Sequence, residues 1–114
     1  MKFWNISKNN ITDLGATEVA KVIKENKILN VLFLHWNKIR EVGGRKIVRA
    51  VRNSTSLQIF DISFNNIGTL GQEHSVANDF KRTFKENFSL LHVDVSNCNF
   101  DSKDIEIINE GLTK

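Results

Sequence analysis

The stretch LNVLFLHWNKI, residues 29–39, and the stretch LQIFDISFNNI, residues 57–67, follow one pattern, and that pattern decides the fold. Two further stretches align with them, MKFWNISKNNI at residues 1–11 and LLHVDVSNCNF at residues 90–100. In all four, the first, fourth and sixth residues are apolar, the ninth is Asn or Cys, and the eleventh is Ile or Phe. Agreement at so many positions, in a chain that is 40% apolar, indicates an internal repeat.

The remainder of each unit repeats as well. Shortly after the eleventh position stands a glycine in three units and an aspartate in the fourth: Gly15, Gly43, Gly71 and Asp104. An apolar pair at helical spacing then follows in each unit: Val19 and Ile23, Ile47 and Val51, Phe80 and Phe84, Ile108 and Leu112. The chain therefore reads as one domain, residues 1–114, with repeats 1–28, 29–56, 57–89 and 90–114. The third repeat carries an insertion near residues 68–79, which either modifies binding or merely lengthens a loop.

This template predicts a strand–loop–helix unit. The fourth and sixth residues of the strand point inward, and the apolar pair holds the helix against it. The glycine is expected to permit the bend into the helix. We predict strands near residues 3–6, 31–34, 59–62 and 92–95, and helices near residues 14–25, 42–53, 75–86 and 103–112. Each unit buries only one face alone, so the units must stack into an α/β solenoid with a short parallel sheet on the concave side.

The ninth residue of each unit is expected to form a structural ladder. These residues are Asn9, Asn37, Asn65 and Cys98, and each stands where the chain turns away from its strand. An amide at that position can both donate to and accept from the backbone of neighbouring turns. Stacked copies would therefore satisfy backbone groups that otherwise lack partners.

The pattern LxxLxLxxN/CxIxxxGxxxIxxxL resembles the leucine-rich repeat, in its long, helix-bearing, ribonuclease-inhibitor-like form. The resemblance covers essentially the whole chain, and it implies a right-handed solenoid with helices on the convex side. Asn and Cys both occur at the ninth position of that form, which implies that Cys98 is a buried structural thiol. The resemblance also implies non-catalytic binding of a protein partner, as in cytoskeletal, ciliary or signalling scaffolds. A nuclease-inhibitor or innate-sensor-like recognition role is the alternative.

Composition narrows the class of protein further. The net charge is +3, and the chain has a single cysteine, which cannot form an internal disulfide. No run of apolar residues is long enough for a membrane span or for the core of a signal peptide. We therefore expect a cytoplasmic location.

The sequence offers little for catalysis or for metal binding. A nucleophile with a base would need Cys98 near His35 or His92, but Cys98 occupies the ladder position and the two histidines lie two repeats apart. The histidines have no ligand spacing, and no phosphate-binding loop is present. We predict no enzyme activity, no metal and no cofactor.

Alternation along the strands turns the third, fifth and seventh residues of each unit toward the concave face. We predict that a protein partner binds there, at the second and third units. The residues proposed for this site are Val31, Phe33, His35, Trp36, Ile59, Asp61, Phe64, His92 and Asp94. Two interpretations of Trp36 and Phe64 remain open, lateral packing against the neighbouring repeat or contact with the partner, whereas Phe33 and Val31 favour partner contact.

The helices carry most of the positive charge. Arg45, Lys46, Arg49 and Arg52 follow one another in the second helix, and Lys81, Arg82 and Lys85 stand in the third. A solvated helix face explains such a run better than a nucleic-acid site does. The ends lack capping segments, and Ile107 lies off the core spacing as though another unit followed. Either the chain is an excerpt of a longer array, or its open ends associate with another chain.

Overall fold

A computed structural model describes residues 2–68 and 73–113 of the chain. Strands and helices alternate along it: β1 (Lys2–Asn5), α1 (Asp13–Glu25), β2 (Leu29–Phe33), α2 (Glu41–Arg52), β3 (Ile59–Asp61), α3 (Ser75–Glu86), β4 (His92–Asp94) and α4 (Ser102–Leu112). The predicted order of elements is confirmed, and their bounds differ from the prediction by no more than about two residues. The expectations for Met1, for Gly71 and for residues 69–72 of the insertion lie outside the described residues.

The strands form one parallel sheet in the order β1-β2-β3-β4, and the helices pack side by side on it. Equivalent positions of the repeat pair across the sheet. Phe3 pairs with Val31, Val31 with Ile59, and Ile59 with His92. Each column of the sequence template therefore becomes a row of side chains across the sheet, and the predicted α/β solenoid is confirmed.

The core contains the residues that the template placed inward. The fourth, sixth and eleventh residues of the second and third units have no exposed surface: Leu32, Leu34, Ile39, Phe60, Ile62 and Ile67. Their counterparts in the first and fourth units, such as Trp4 and Val93, pack partly buried against the same core. Ile107, which lies off the core spacing, is buried in the same core as Ile108. The missing side chain of Gly111 lets α4 lie close to α3: a Cβ there would come within 2.6 Å of the Lys81 carbonyl oxygen.

The glycines of the first two units do not make the bend that the sequence suggested. Gly15 and Gly43 lie inside helices α1 and α2, and neither has a left-handed φ. They permit close packing instead. A Cβ on Gly43 would stand 2.7 Å from Cβ of Ala16 and 2.9 Å from Cα of Asp13. Gly43 therefore allows α1 and α2 to pack closely.

The ninth residues hydrogen-bond across neighbouring units. Asn37 Oδ1 accepts from the amides of Asn9 and Ile11 at 2.9 and 3.0 Å, and its Nδ2 donates to the carbonyls of Ile6 and Leu34. Asn65 makes equivalent bonds one unit further along, although its Oδ1 accepts from a single amide. These amides satisfy backbone groups where the parallel sheet has ended.

In the fourth unit a thiol stands at this position. Cys98 Sγ donates to the carbonyls of Ile62 and Ser96, at 3.3 and 3.5 Å. Asn9 in the first unit is exposed.

A second set of polar side chains, not anticipated from the sequence, forms the turns before β2, β3 and β4. Asn26 Oδ1 accepts from the amides of Ile28 and Leu29, and Ser54 Oγ accepts from those of Ser56 and Leu57. Asn87 Oδ1 repeats the turn before β4. The positions lie three residues before each strand's first core residue, so a fixed spacing of Asn or Ser was the available signal.

The aspartate that replaces the fourth glycine has a structural role of its own. Asp104 is 1% exposed, and it forms a reciprocal capping box with Asp101 at the start of α4. His74 Nδ1, from the described end of the insertion, lies 2.6 Å from Asp104 Oδ1. Asp104 therefore links the third and fourth units.

Candidate partner-binding face

The concave side of three units ends in the same small turn. The fifth residue of the unit accepts hydrogen bonds through Oδ1 from both the amide and the hydroxyl of the serine two residues later. The pairs are Asn5 with Ser7, Asp61 with Ser63, and Asp94 with Ser96. The amide bonds measure 2.9–3.1 Å, and the turn stabilises the end of each strand locally. In sequence it reads NIS, DIS and DVS.

The second unit lacks this turn, because it has Phe33 and His35 in place of the Asx–Ser pair. The Phe33 ring meets the Phe3 ring edge-on, with centroids 5.1 Å apart, and lies 5.7 Å from the His35 ring. His35 Nδ1 lies 3.2 Å from Asp61 Oδ2, yet it makes no hydrogen bond. At this point of the sheet, aromatic contacts replace a hydrogen-bonded turn.

The eighth residue of every unit adopts a left-handed backbone. The φ angles of Lys8, Trp36, Phe64 and Asn97 are 58°, 57°, 55° and 54°. Such angles suit Asn and are unfavourable, by roughly 1 kcal/mol or more, for bulky side chains. Backbone hydrogen bonds to the next unit stabilise this conformation. The Trp36 amide donates to the Ser63 carbonyl, and the Phe64 amide to the Ser96 carbonyl, both at 3.1 Å.

Trp36 and Phe64 stack on each other. Their ring centroids are 4.2 Å apart with an interplanar angle of 9°, and the two residues remain 53% and 37% exposed. The two interpretations of the sequence are therefore compatible. The rings cover each other laterally, as packing would require, and together they present an aromatic surface to solvent.

Most of the predicted site residues lie on one face of the structure, but one of them is buried. Val31 is only 3% exposed, so its prediction as a contact residue was wrong. It lies in the second of four strands, where Phe3 and Ile59 pair with it on either side and shield it. Phe3, which the sequence interpretation omitted from the site, is 57% exposed on this face and replaces Val31 there.

The face has two parts. The aromatic part consists of Phe3, Phe33, Trp36 and Phe64. The acidic part consists of Asp61 and Asp94, which pair across β3 and β4, with His35 and His92 next to them. Ile59 is half-buried and pairs across the sheet with Val31 on one side and His92 on the other. The hydroxyl and amide of Ser96 lower the pKa of Asp94, so this carboxyl is ionised at neutral pH.

Cys98 is unsuited to nucleophilic chemistry. Burial in the core raises the pKa of its thiol to about 11, and only 2% of the residue is exposed.

We expect the folded protein to resist alkylation by iodoacetamide at pH 8, and to react within minutes once guanidinium chloride unfolds it. Mass spectrometry of the intact chain measures both states, and the unfolded sample is the control for reagent quality. Stoichiometric labelling of the folded chain would contradict a buried thiol.

Much of the positive charge on the convex side is paired with acids. Arg45 and Arg49 both reach Asp79, at 3.2 and 3.5 Å. On α3, Lys81 pairs with Glu110 of α4, and Arg82 with Glu86. These ion pairs favour a solvated helix surface over a nucleic-acid site.

One cluster of possible metal ligands exists in the described parts of the chain. It consists of His74, Asp101 and Asp104, whose ligand atoms lie within 4.8 Å of one another. The capping box and the His74 contact already use these groups, which gives them a structural explanation. Across residues 2–68 and 73–113, no helix has the length and apolar character needed to cross a bilayer.

The stacked units, the ladder of ninth residues (Asn37, Asn65 and Cys98) and the parallel sheet define the class of the protein as a repeat solenoid. A family model described as Leucine Rich repeat matches residues 1–20, 53–71 and 86–106, which is more than half of the chain. The chain belongs to the leucine-rich repeat family. The match does not distinguish the ribonuclease-inhibitor-like form, which remains a prediction.

Two solved structures share the fold. The tropomodulin C-terminal domain of Caenorhabditis elegans matches with a TM-score of 0.78 and 21% identity, over 98% of this chain and 65% of that one. A structure titled Leiomodin-1 Actin-Binding Site 2 matches with a TM-score of 0.72 and 20% identity, over 98% of this chain and 64% of the other. The chain thus spans about two thirds of the length of each. A comparison with curated proteins gives no significant match.

Proposed function

We propose that this chain is a non-catalytic protein-interaction module, and that it binds its partner on the concave face at the second and third units. One observation carries the proposal. The second unit lacks the hydrogen-bonded turn of the other three and has Phe33 and His35 in its place, next to Trp36 in an unfavourable backbone conformation. The fold does not require these side chains, because the other units reach the same geometry without them.

The exposed aromatic surface fits this role. Phe3 and Trp36 are more than half exposed, and Phe64 is 37% exposed, on a sheet face where the units run side by side. Contiguous apolar surface with aromatic residues at its centre is typical of the residues that dominate binding energy at protein interfaces. The concave face of a solenoid also offers a partner several units at once.

Actin is the first partner to test, and cytoskeletal scaffolding within the cell is the proposed setting. The support is the fold shared with a structure whose title names an actin-binding site of leiomodin-1 and with the tropomodulin C-terminal domain.

The decisive variant rebuilds the second unit from residues that the chain already uses elsewhere. In Phe33→Asn with His35→Ser and Trp36→Asn, the new residues copy Asn5, Ser7 and Asn97. The new turn adds hydrogen bonds, and asparagine tolerates the left-handed backbone at position 36 better than tryptophan does. We expect these gains to offset the lost aromatic contacts, so that the free energy of unfolding changes by less than about 2 kcal/mol. Binding to actin should weaken by at least about 30-fold, or roughly 2 kcal/mol.

Titration of labelled actin monomers and co-sedimentation with filaments measure the binding, and circular dichroism measures the melting temperature. The control is Leu14→Gln, which removes an apolar residue that is 85% exposed on α1. Wild type and control should bind alike. Unchanged binding by the rebuilt variant would refute the concave face as the site. No binding of wild type to either form of actin would refute actin as the partner.

A further inference from the structure

We propose that the segment bound on the concave face is basic and apolar: an arginine or lysine meets Asp61 and Asp94, and a neighbouring apolar side chain lies on the aromatic part of the face. The inference rests on the function proposed above and names the chemistry of the partner.

The charge of the two aspartates exceeds what the fold needs. The turn at the strand end requires only an oxygen that accepts from the serine amide and hydroxyl, and Asn5 supplies it without a charge. Asp61 and Asp94 make the same bonds with their Oδ1 atoms, yet they are direct cross-strand neighbours. Like charges on adjacent strands destabilise a sheet. The turn therefore explains the oxygens of these residues and leaves their negative charge unexplained.

Within the described residues, no lysine or arginine forms an ion pair with either carboxylate. The basic groups near them are the imidazoles of His35, 3.2 Å from Asp61 Oδ2, and of His92, which lies close enough to help lower the pKa of Asp94. The two carboxylates make the acidic part of the face opposite in sign to the chain as a whole, which carries a net charge of +3. A basic segment would find its complement here, and an acidic or phosphorylated one would be repelled.

The arrangement of the two parts suits an extended segment that crosses the strands. Neighbouring strands are about 4.8 Å apart, and alternate residues of an extended peptide lie about 7 Å apart on one side. An apolar residue over Trp36 and Phe64 would therefore bring the residues two and four places further along toward Asp61 and Asp94. Arginine fits best, because its planar guanidinium can pair with a carboxylate and stack on an aromatic ring.

Two synthetic peptides test the proposal: acetyl-SLSRSRS-amide and its acidic twin acetyl-SLSESES-amide. Their binding is followed by two-dimensional NMR titration of the full chain. We expect wild type to bind the basic peptide at least about tenfold more tightly than the acidic one. The backbone amides of the second, third and fourth units around Trp36, Asp61 and Asp94 should shift.

The test variant is Asp61→Asn with Asp94→Asn, which keeps the turn in the form that Asn5 uses. It should lose the preference for the basic peptide while its melting temperature stays the same or rises, because the cross-strand repulsion is gone. The matched control, Glu18→Gln with Glu25→Gln, removes the same charge from α1 and should leave the preference intact.

Each further outcome separates the two proposals. A preference retained by the Asn double variant, or equal binding of both peptides by wild type, would overturn the basic partner and leave the concave face standing. Undiminished binding of the basic peptide by the rebuilt second unit (Phe33→Asn, His35→Ser, Trp36→Asn) would overturn the contact of the apolar side chain with the aromatic part of the face. Absence of any binding to wild type would overturn the partner chemistry alone, since the actin titration tests the face independently.

Discussion

Asn65→Ala is expected to lower the free energy of unfolding by about 3 kcal/mol, a large share of the stability of a domain this size. The residue is 3% exposed. Its Oδ1 accepts from the Ile39 amide at 3.1 Å, and its Nδ2 donates to the carbonyls of Leu34 and Ile62, both at 3.0 Å. Alanine would leave these backbone groups buried without partners and would open a small void. Urea unfolding followed by circular dichroism measures the change.

Two further variants isolate the role of the amide. Asn65→Cys copies the fourth unit, where the Cys98 thiol donates to the Ile62 carbonyl, so we expect about half the loss seen with alanine. Lys38→Ala changes an exposed residue next to Asn37 in sequence and should have almost no effect. A loss below about 1 kcal/mol for Asn65→Ala would show that the asparagine row contributes little to the stacking of units.

Phe60→Ala should destabilise the domain by about 3–5 kcal/mol, whereas Phe64→Ala should change its stability by about 1 kcal/mol at most. The two phenylalanines belong to one repeat, so the chemical change is identical. Phe60 has no exposed surface and lies at the centre of the core, so its removal leaves a cavity between sheet and helices. Phe64 is 37% exposed, and loss of its stack on Trp36 is offset by relief of an unfavourable backbone angle.

Chemical denaturation of both variants, side by side, measures the contrast. Phe64→Asn serves as the control, because asparagine tolerates the left-handed backbone and stands at the same position of the fourth unit as Asn97. If Phe64→Ala proved as damaging as Phe60→Ala, the aromatic pair would be core rather than surface, and the proposed binding face would lose its centre.

The sequence predicted the architecture well, because the fold is determined by short-range spacing that repeats. The inward positions of β2 and β3 and the bounds of all four helices followed from periods that are readable in the chain. The glycines of the first two units, Gly15 and Gly43, were misinterpreted. A glycine near the start of a helix can permit a turn, or it can allow two helices to pack closely. Only the distance between α1 and α2 in the structure distinguishes these two roles.

The candidate site was less predictable, since it depends on neighbours in other units. Alternation placed Val31 on the concave side, but whether it is exposed depends on the side chains at the paired positions. The stack of Trp36 on Phe64 and the turns of Asp61 and Asp94 depend on distances between side chains that no spacing rule gives. The NIS, DIS and DVS triplets were a visible signal for the turns, and their absence in the second unit marked the departure.

Trp36 can serve as an intrinsic fluorescence probe of the concave face. The chain has only two tryptophans, and the other, Trp4, packs partly buried against the core. In a Trp4→Phe background, all indole fluorescence would come from the concave face. Its emission should shift to shorter wavelength when a partner excludes water from the ring, and should stay unchanged for ligands that bind on the convex helices. Occupancy of the face could thus be followed without attaching any label.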